Sequence, residues 1–96
     1  MTLEQFRDSL SRDHPPESLD LALAGLWWDA KGDWTKAHAS AQQDEGPAGS
    51  WVHAYLHRKE GDASNARYWY RRAGRKPSSA KLKDEWRDIA NALLSA

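Results

Sequence analysis

Ninety-six residues leave room for one domain, residues 1–96, with a modest core, and six Trp give that core much apolar area for its length. The absence of Cys excludes disulfides and thiolate metal sites, and fourteen acids against fourteen Lys or Arg argue against a dedicated nucleic-acid binder, which normally carries a basic excess. Met1 to Asp8 has early acids and no leader-like apolar run, and the longest apolar stretch, Leu21 to Trp28, is too short to span a bilayer, so a soluble, cytoplasmic protein without membrane attachment is expected.

Thr2 followed by Gln5 forms a capping-box pattern and opens a helix carrying Leu3, Phe6 and Leu10. This helix should stop near Arg12, because His14 precedes a proline and is pushed out of the helical region. Pro15-Pro16-Glu17 suits the first turn of a second helix, with Leu19, Leu23, Leu26, Trp27 and Ala30 on one face and Gly32 as its end. Asp33 is the expected N-cap of a third helix bearing Trp34, Ala37 and Ala41. Gly46-Pro47-Ala48-Gly49 reads as a loop. A fourth helix runs from about Ser50 to Glu60, and a fifth from its cap Asp62 to Gly74, with Ala66, Trp69, Tyr70 and Ala73 as an apolar stripe. A sixth begins near Ser79 and carries Leu82, Trp86, Ile89, Ala90, Leu93 and Leu94. Nothing alternates like a strand, so the predicted fold is all-α with about six helices.

One phrase recurs. Leu26 to Ala37 is echoed by Tyr55 to Ala66: each copy is a helix stopped by Gly, then an Asp that starts the next helix, then an Ala one turn inside it. An internal repeat of this kind predicts stacked helical hairpins. The residues Gly25, Trp28, Gly32, Asp33, Trp34 and Ala37, and then Ala54, Gly61, Asp62, Ala66, Tyr70 and Ala73, resemble the signature positions of the tetratricopeptide repeat and its short cousin, the Sel-type repeat. The string Ala66-Arg67-Tyr68-Trp69-Tyr70-Arg71-Arg72-Ala73 is similar to the Sel-type arrangement. The resemblance covers about residues 20–77 and implies two hairpins, with the first and last helices as caps. The repeat offset, from Gly32 to Gly61, is shorter than the tetratricopeptide period, and two repeats alone rarely stand as an open array; a compact bundle is expected. For function the resemblance implies recognition of a protein segment, without naming the partner.

His53, His57 and Glu60 share one face of the fourth helix by their spacing. Amphipathic logic turns that face to water, whereas the repeat register puts both imidazoles at inward positions, near Ala66, Tyr70 and the Gly61-Asp62 turn. Three readings stand in order of preference. The histidines are buried, neutral and hydrogen-bonded; or they belong to a polar pocket with Asn65, Tyr68 and Arg71; or, last, His53, His57 and Glu60 hold a metal. The His-Glu-x-x-His order of zinc proteases is absent, and the sequence implies no cofactor.

Arg67, Arg71, Arg72, Arg75 and Lys76 fall within ten residues, interleaved with Tyr68, Trp69 and Tyr70. Residues 1–50 hold nine acids against four Lys or Arg, and residues 51–96 hold five against ten. This asymmetry is first a matter of attraction within the fold, and second of an acidic partner or a second copy of the chain. An acidic protein segment ranks above RNA or DNA as partner. The serines lack a nucleophile setting, no Gly loop cradles phosphate, and the acid pairs Asp44-Glu45 and Asp84-Glu85 read as loop and solvated helix face. An enzymatic role has no support in the sequence.

Overall fold

Four of the six α-helices in this chain start at side chains that take over free backbone N–H groups. In the computed structural model, which describes residues 1–96, the helices are α1 (Leu3–Asp8, tightening into a 3₁₀ turn at Ser9–Ser11), α2 (Leu21–Ala30), α3 (Trp34–Gln43), α4 (Pro47–Glu60), α5 (Ala63–Ala73) and α6 (Leu82–Leu94). Thr2 and Gln5 form a reciprocal capping box. Asp20, Asp33 and Asp62 accept the N–H groups of Leu23, Lys36 and Asn65 at 2.9, 3.0 and 3.2 Å. There are no strands. No helix is long and apolar enough to cross a membrane.

Two expected boundaries are corrected. The second helix does not start at Pro15-Pro16-Glu17 but at Leu21, because Asp20 adopts an extended backbone and captures the Leu23 N–H; Pro16 only accepts the Leu19 N–H in a turn. Nor is Gly46-Pro47-Ala48-Gly49 a loop: Gly46 is the N-cap of α4 and Pro47 fills its first turn, where a missing N–H costs nothing. Gly49 is needed for space. A Cβ there would lie 2.1 Å from the Asp44 carbonyl oxygen, so the α3–α4 corner closes only over a hydrogen atom.

The twin Gly-Asp corners have the same geometry. Gly32 and Gly61 take φ of +83° and +90°, and the N–H groups of Asp33 and Asp62 donate to the carbonyls of Trp28 and His57 at 3.0 and 2.9 Å. Each corner is a left-handed glycine closing a helix while the following Asp opens the next. So α2 folds back on α3, and α4 on α5, as two hairpins.

α4 is the central element and touches α2, α3, α5 and α6. Every residue from Trp51 to His57 is buried, which is why its sequence shows no polar stripe. Its Val52 and Leu56, with Phe6, Leu26, Trp27, Tyr70 and Ile89 around it, are the largest fully buried apolar side chains of the core. α1 and α6 close the bundle: Phe6 meets Trp86 at 5.6 Å between ring centroids, and the Trp86 indole N–H donates to the Leu26 carbonyl at 3.0 Å.

One expectation fails on α6. Glu85, read as part of a solvated face, is only 3 % exposed. It accepts from Arg58 at 2.8 Å and from the Tyr70 hydroxyl, so a single carboxylate ties α6 to α4 and α5. A second buried acid, Asp29, does the same for the first hairpin, accepting from Tyr55 at 2.9 Å and Lys59 at 2.8 Å. Burial, and then the neighbouring carboxylates, push both tyrosine hydroxyls above the usual phenol range; they act as fixed donors.

Candidate functional site

The Asp62 cap, the Gly61 corner and the pairing of α4 with α5 bring four of the sequence-selected residues together: His53, His57, Glu60 and Asn65. His57 Nδ1 lies 2.6 Å from Glu60 Oε1, and the Asn65 side-chain nitrogen lies 3.3 Å from His57 Nε2. An ionised carboxylate only accepts, so the Nδ1 of His57 is the donor in this bond. His53 and His57 are 3 % and 6 % exposed, while Glu60 is exposed and Asn65 half-buried at the rim. His53 stacks on Trp69, with ring centroids 3.8 Å apart, and not on Tyr70, whose hydroxyl is engaged by Glu85.

The residue that sequence reasoning missed is His38. It stands on α3, half-buried, and its Nε2 lies 2.9 Å from that of His53. Its ring stacks on Trp34 at 4.8 Å and meets His57 edge-on at 5.3 Å. Three of the chain's four histidines thus share one cluster held between two indoles, Trp34 on one side and Trp69 on the other. Trp34 is itself fixed, its N–H donating to the Leu56 carbonyl at 3.2 Å. The signal for His38 lay in the hairpin register: Trp34 and His38 are one turn apart on the helix that folds against α2 and α4.

Ring nitrogens of His38, His53 and His57 all lie within 4.8 Å of one another, and His57, Glu60 and Asp62 form a second such group at the corner. Burial lowers the pKa of His53 to about 4, helped by the closeness of His38 and His57. His38 is lowered too, by burial first and His57 next, with Glu60 opposing. Burial therefore favours the uncharged forms of His38 and His53, which share one N–H between their Nε2 atoms, while the third ring meets a carboxylate. Neutral nitrogens of this kind accept protons or bind soft and borderline cations.

Arg67, Tyr68, Arg71 and Arg72 lie apart, on the exposed side of α5. Tyr68 is 46 % exposed. The Arg72 guanidinium lies 5.2 Å from the Trp69 ring and 6.0 Å from that of Tyr68, and the Arg75 guanidinium sits 3.3 Å over Trp51. Trp69 thus joins the two regions, one face on His53 and its outer side toward Arg72. Two clefts of about 520 and 620 Å³ open elsewhere, one along Leu10, Tyr55 and Trp86, the other beside Met1 and Arg12. Neither is lined by a histidine.

Comparison of the chain with protein-family models, with curated proteins and with solved structures gives no match.

Proposed function

We propose that the chain is a small, cytoplasmic helical-hairpin module of tetratricopeptide/Sel-like type that binds an acidic protein segment, or a second copy of itself, through the outer face of α5. The observation that carries this is the charge on that face. Along α5 and its exit, from Ala63 to Lys76, there is no acid, while Arg67, Arg71, Arg72, Arg75 and Lys76 are all present and exposed. The five from Arg67 to Lys76 meet no carboxylate; the ion pairs of the fold involve Arg58, Lys59, Arg87 and His57 instead. Arg72 and Arg75 rest on aromatic rings, which holds their planar heads ready for bidentate contact with a carboxylate. Tyr68 offers apolar area beside them.

The test is fluorescence anisotropy with a fluorescein-labelled Asp/Glu-rich peptide, alongside sedimentation of the free protein. Binding, or self-association, should weaken at least ~10-fold when Arg71 and Arg72 are both changed to Glu, and fall as salt rises. Neither process depending on those arginines would overturn the reading. So would tighter, salt-dependent retention of single-stranded RNA than of the peptide.

A second reading, a small ligand- or metal-binding protein centred on His53 and His57, is favoured by a specific observation: the placement of His38 against both.

A further inference from the structure

We propose that His38, His53 and His57 form a three-imidazole site for a divalent transition metal of the zinc class, with Glu60 positioning His57 and a fourth coordination place left for water or an incoming ligand. The inference deepens the second reading above and is independent of the acidic-partner reading.

The ligand count comes first. Zinc bound by imidazole at about 2.0–2.1 Å in a tetrahedron sets its donor nitrogens roughly 3.4 Å apart. The His38–His53 pair stands at 2.9 Å, and all three histidines offer nitrogens within 4.8 Å. Loading would open the His38–His53 pair slightly and draw the third nitrogen in from a separation that is already no larger than 4.8 Å. The three ligands come from two helices of different hairpins, α3 and α4, which the fold already holds in contact.

The second argument is the proton inventory. A metal needs a bare nitrogen from each ring. His57 supplies Nε2, because Glu60 holds the proton on Nδ1; this carboxylate–histidine arrangement is the one that orients imidazole ligands in metal proteins. His38 and His53 now share one N–H between their Nε2 atoms. On loading, the donor ring carries its proton on Nδ1 instead. That is a change of tautomer with no net proton released, and the lone pairs of both rings then face the ion.

The third argument is the wall. Trp34 and Trp69 stack on the two rings that face one another, fixing their planes and excluding water from the back of the site. Glu60, although within reach of His57, is the exposed member and is bound to Nδ1, so it is a positioning residue and not a ligand. The Asn65 amide, 3.3 Å from His57 Nε2, would have to release that nitrogen when the ion binds. An all-nitrogen donor set suits zinc, cobalt, nickel or copper and disfavours magnesium and calcium.

The experiment uses the full chain stripped with a chelator and titrated with Co²⁺, then Zn²⁺, with Mg²⁺ as the control ion. The visible spectrum should rise with the intense d–d bands of a tetrahedral Co²⁺ centre, saturate at one ion per chain, and be bleached by Zn²⁺. His38→Ala, at a half-buried position whose loss leaves the core intact, should abolish the bands while far-UV circular dichroism stays native. Glu60→Gln should keep the spectrum and weaken binding by about 10- to 100-fold. His14→Ala should change nothing. No saturable Co²⁺ spectrum, or an unchanged one in His38→Ala, would overturn the site. Because His38→Ala should leave the acidic-peptide anisotropy untouched, failure of either reading can be told from failure of the other.

Discussion

Changing Glu85 to Ala removes the one carboxylate that joins three helices, and its cost can be worked from its partners. Arg58 would be left with only the Ala80 carbonyl, and Tyr70, 1 % exposed, would lose its sole side-chain acceptor. Breaking a fully buried ion pair costs about 3–5 kcal/mol. The Arg58 side chain is 24 % exposed and recovers part of its hydration, which lowers the expected loss to about 2–4 kcal/mol. At roughly 4–8 °C per kcal/mol for a domain near this size, the melting temperature should fall by more than about 8 °C. Tyr70→Phe deletes one donor and leaves Glu85 paired with Arg58, so it should cost about 1.5 kcal/mol. The double variant should lose less than the two single losses together, because both remove the same bond. Thermal and urea unfolding followed by circular dichroism gives all three values. A Glu85→Ala protein melting within ~2 °C of the parent, or strictly additive losses, would mean that the carboxylate is solvated and not clamped.

Two other substitutions and conditions probe the frame of the site. Gly49→Ala should destabilise by more than about 2 kcal/mol, since its methyl group would overlap the Asp44 carbonyl at the corner that starts α4; unchanged urea unfolding would disprove that close approach. Acid should weaken the metal-free fold before most carboxylates titrate. His53 takes up a proton near pH 6.5 when unfolded but only near 4 when folded, so its contribution is fully present above about 6.5 and is lost as pH falls toward 4. The groups facing it or its neighbours are His38, His57 and Glu60, and of these only Glu60 favours the protonated form. Urea midpoints measured between pH 7.5 and 4.5 should fall steadily, and His53→Asn should flatten the curve; parallel curves for the two proteins would refute the assignment.

The helices were legible because their signals are local. Gly32-Asp33 and Gly61-Asp62 each combine a residue that tolerates positive φ with a side chain that caps, and both corners formed as that chemistry requires. Pro15-Pro16 misled because proline is compatible with a first turn without demanding one; the cap at Asp20, four residues on, decided the start. Gly46 to Gly49 misled for the opposite reason, since glycine marks both flexible loops and tight approaches, and only the position of Asp44 distinguishes them. Glu85 was hidden by its type. Acids are usually solvated, and nothing nearby in the chain announced that Arg58, twenty-seven residues earlier, would reach it. His38 was hidden by distance as well: its partners lie fifteen and nineteen residues on, on another helix.

The cost of the histidine cluster bears on its meaning. A domain of this length has few buried positions, and His53 and His57 occupy two that Leu or Phe would fill without any desolvated nitrogen. Packing therefore does not require them. Two of the rings are also specified twice over, by an indole face and by the contact at Nε2, and the third is held by a carboxylate. A structural histidine needs one satisfied hydrogen bond; this arrangement orients the planes of two rings and gathers nitrogens from all three within 4.8 Å. Those are the properties that coordination uses and that core packing does not, which is why the metal titration, and not a stability scan, is the measurement that decides the role of His38.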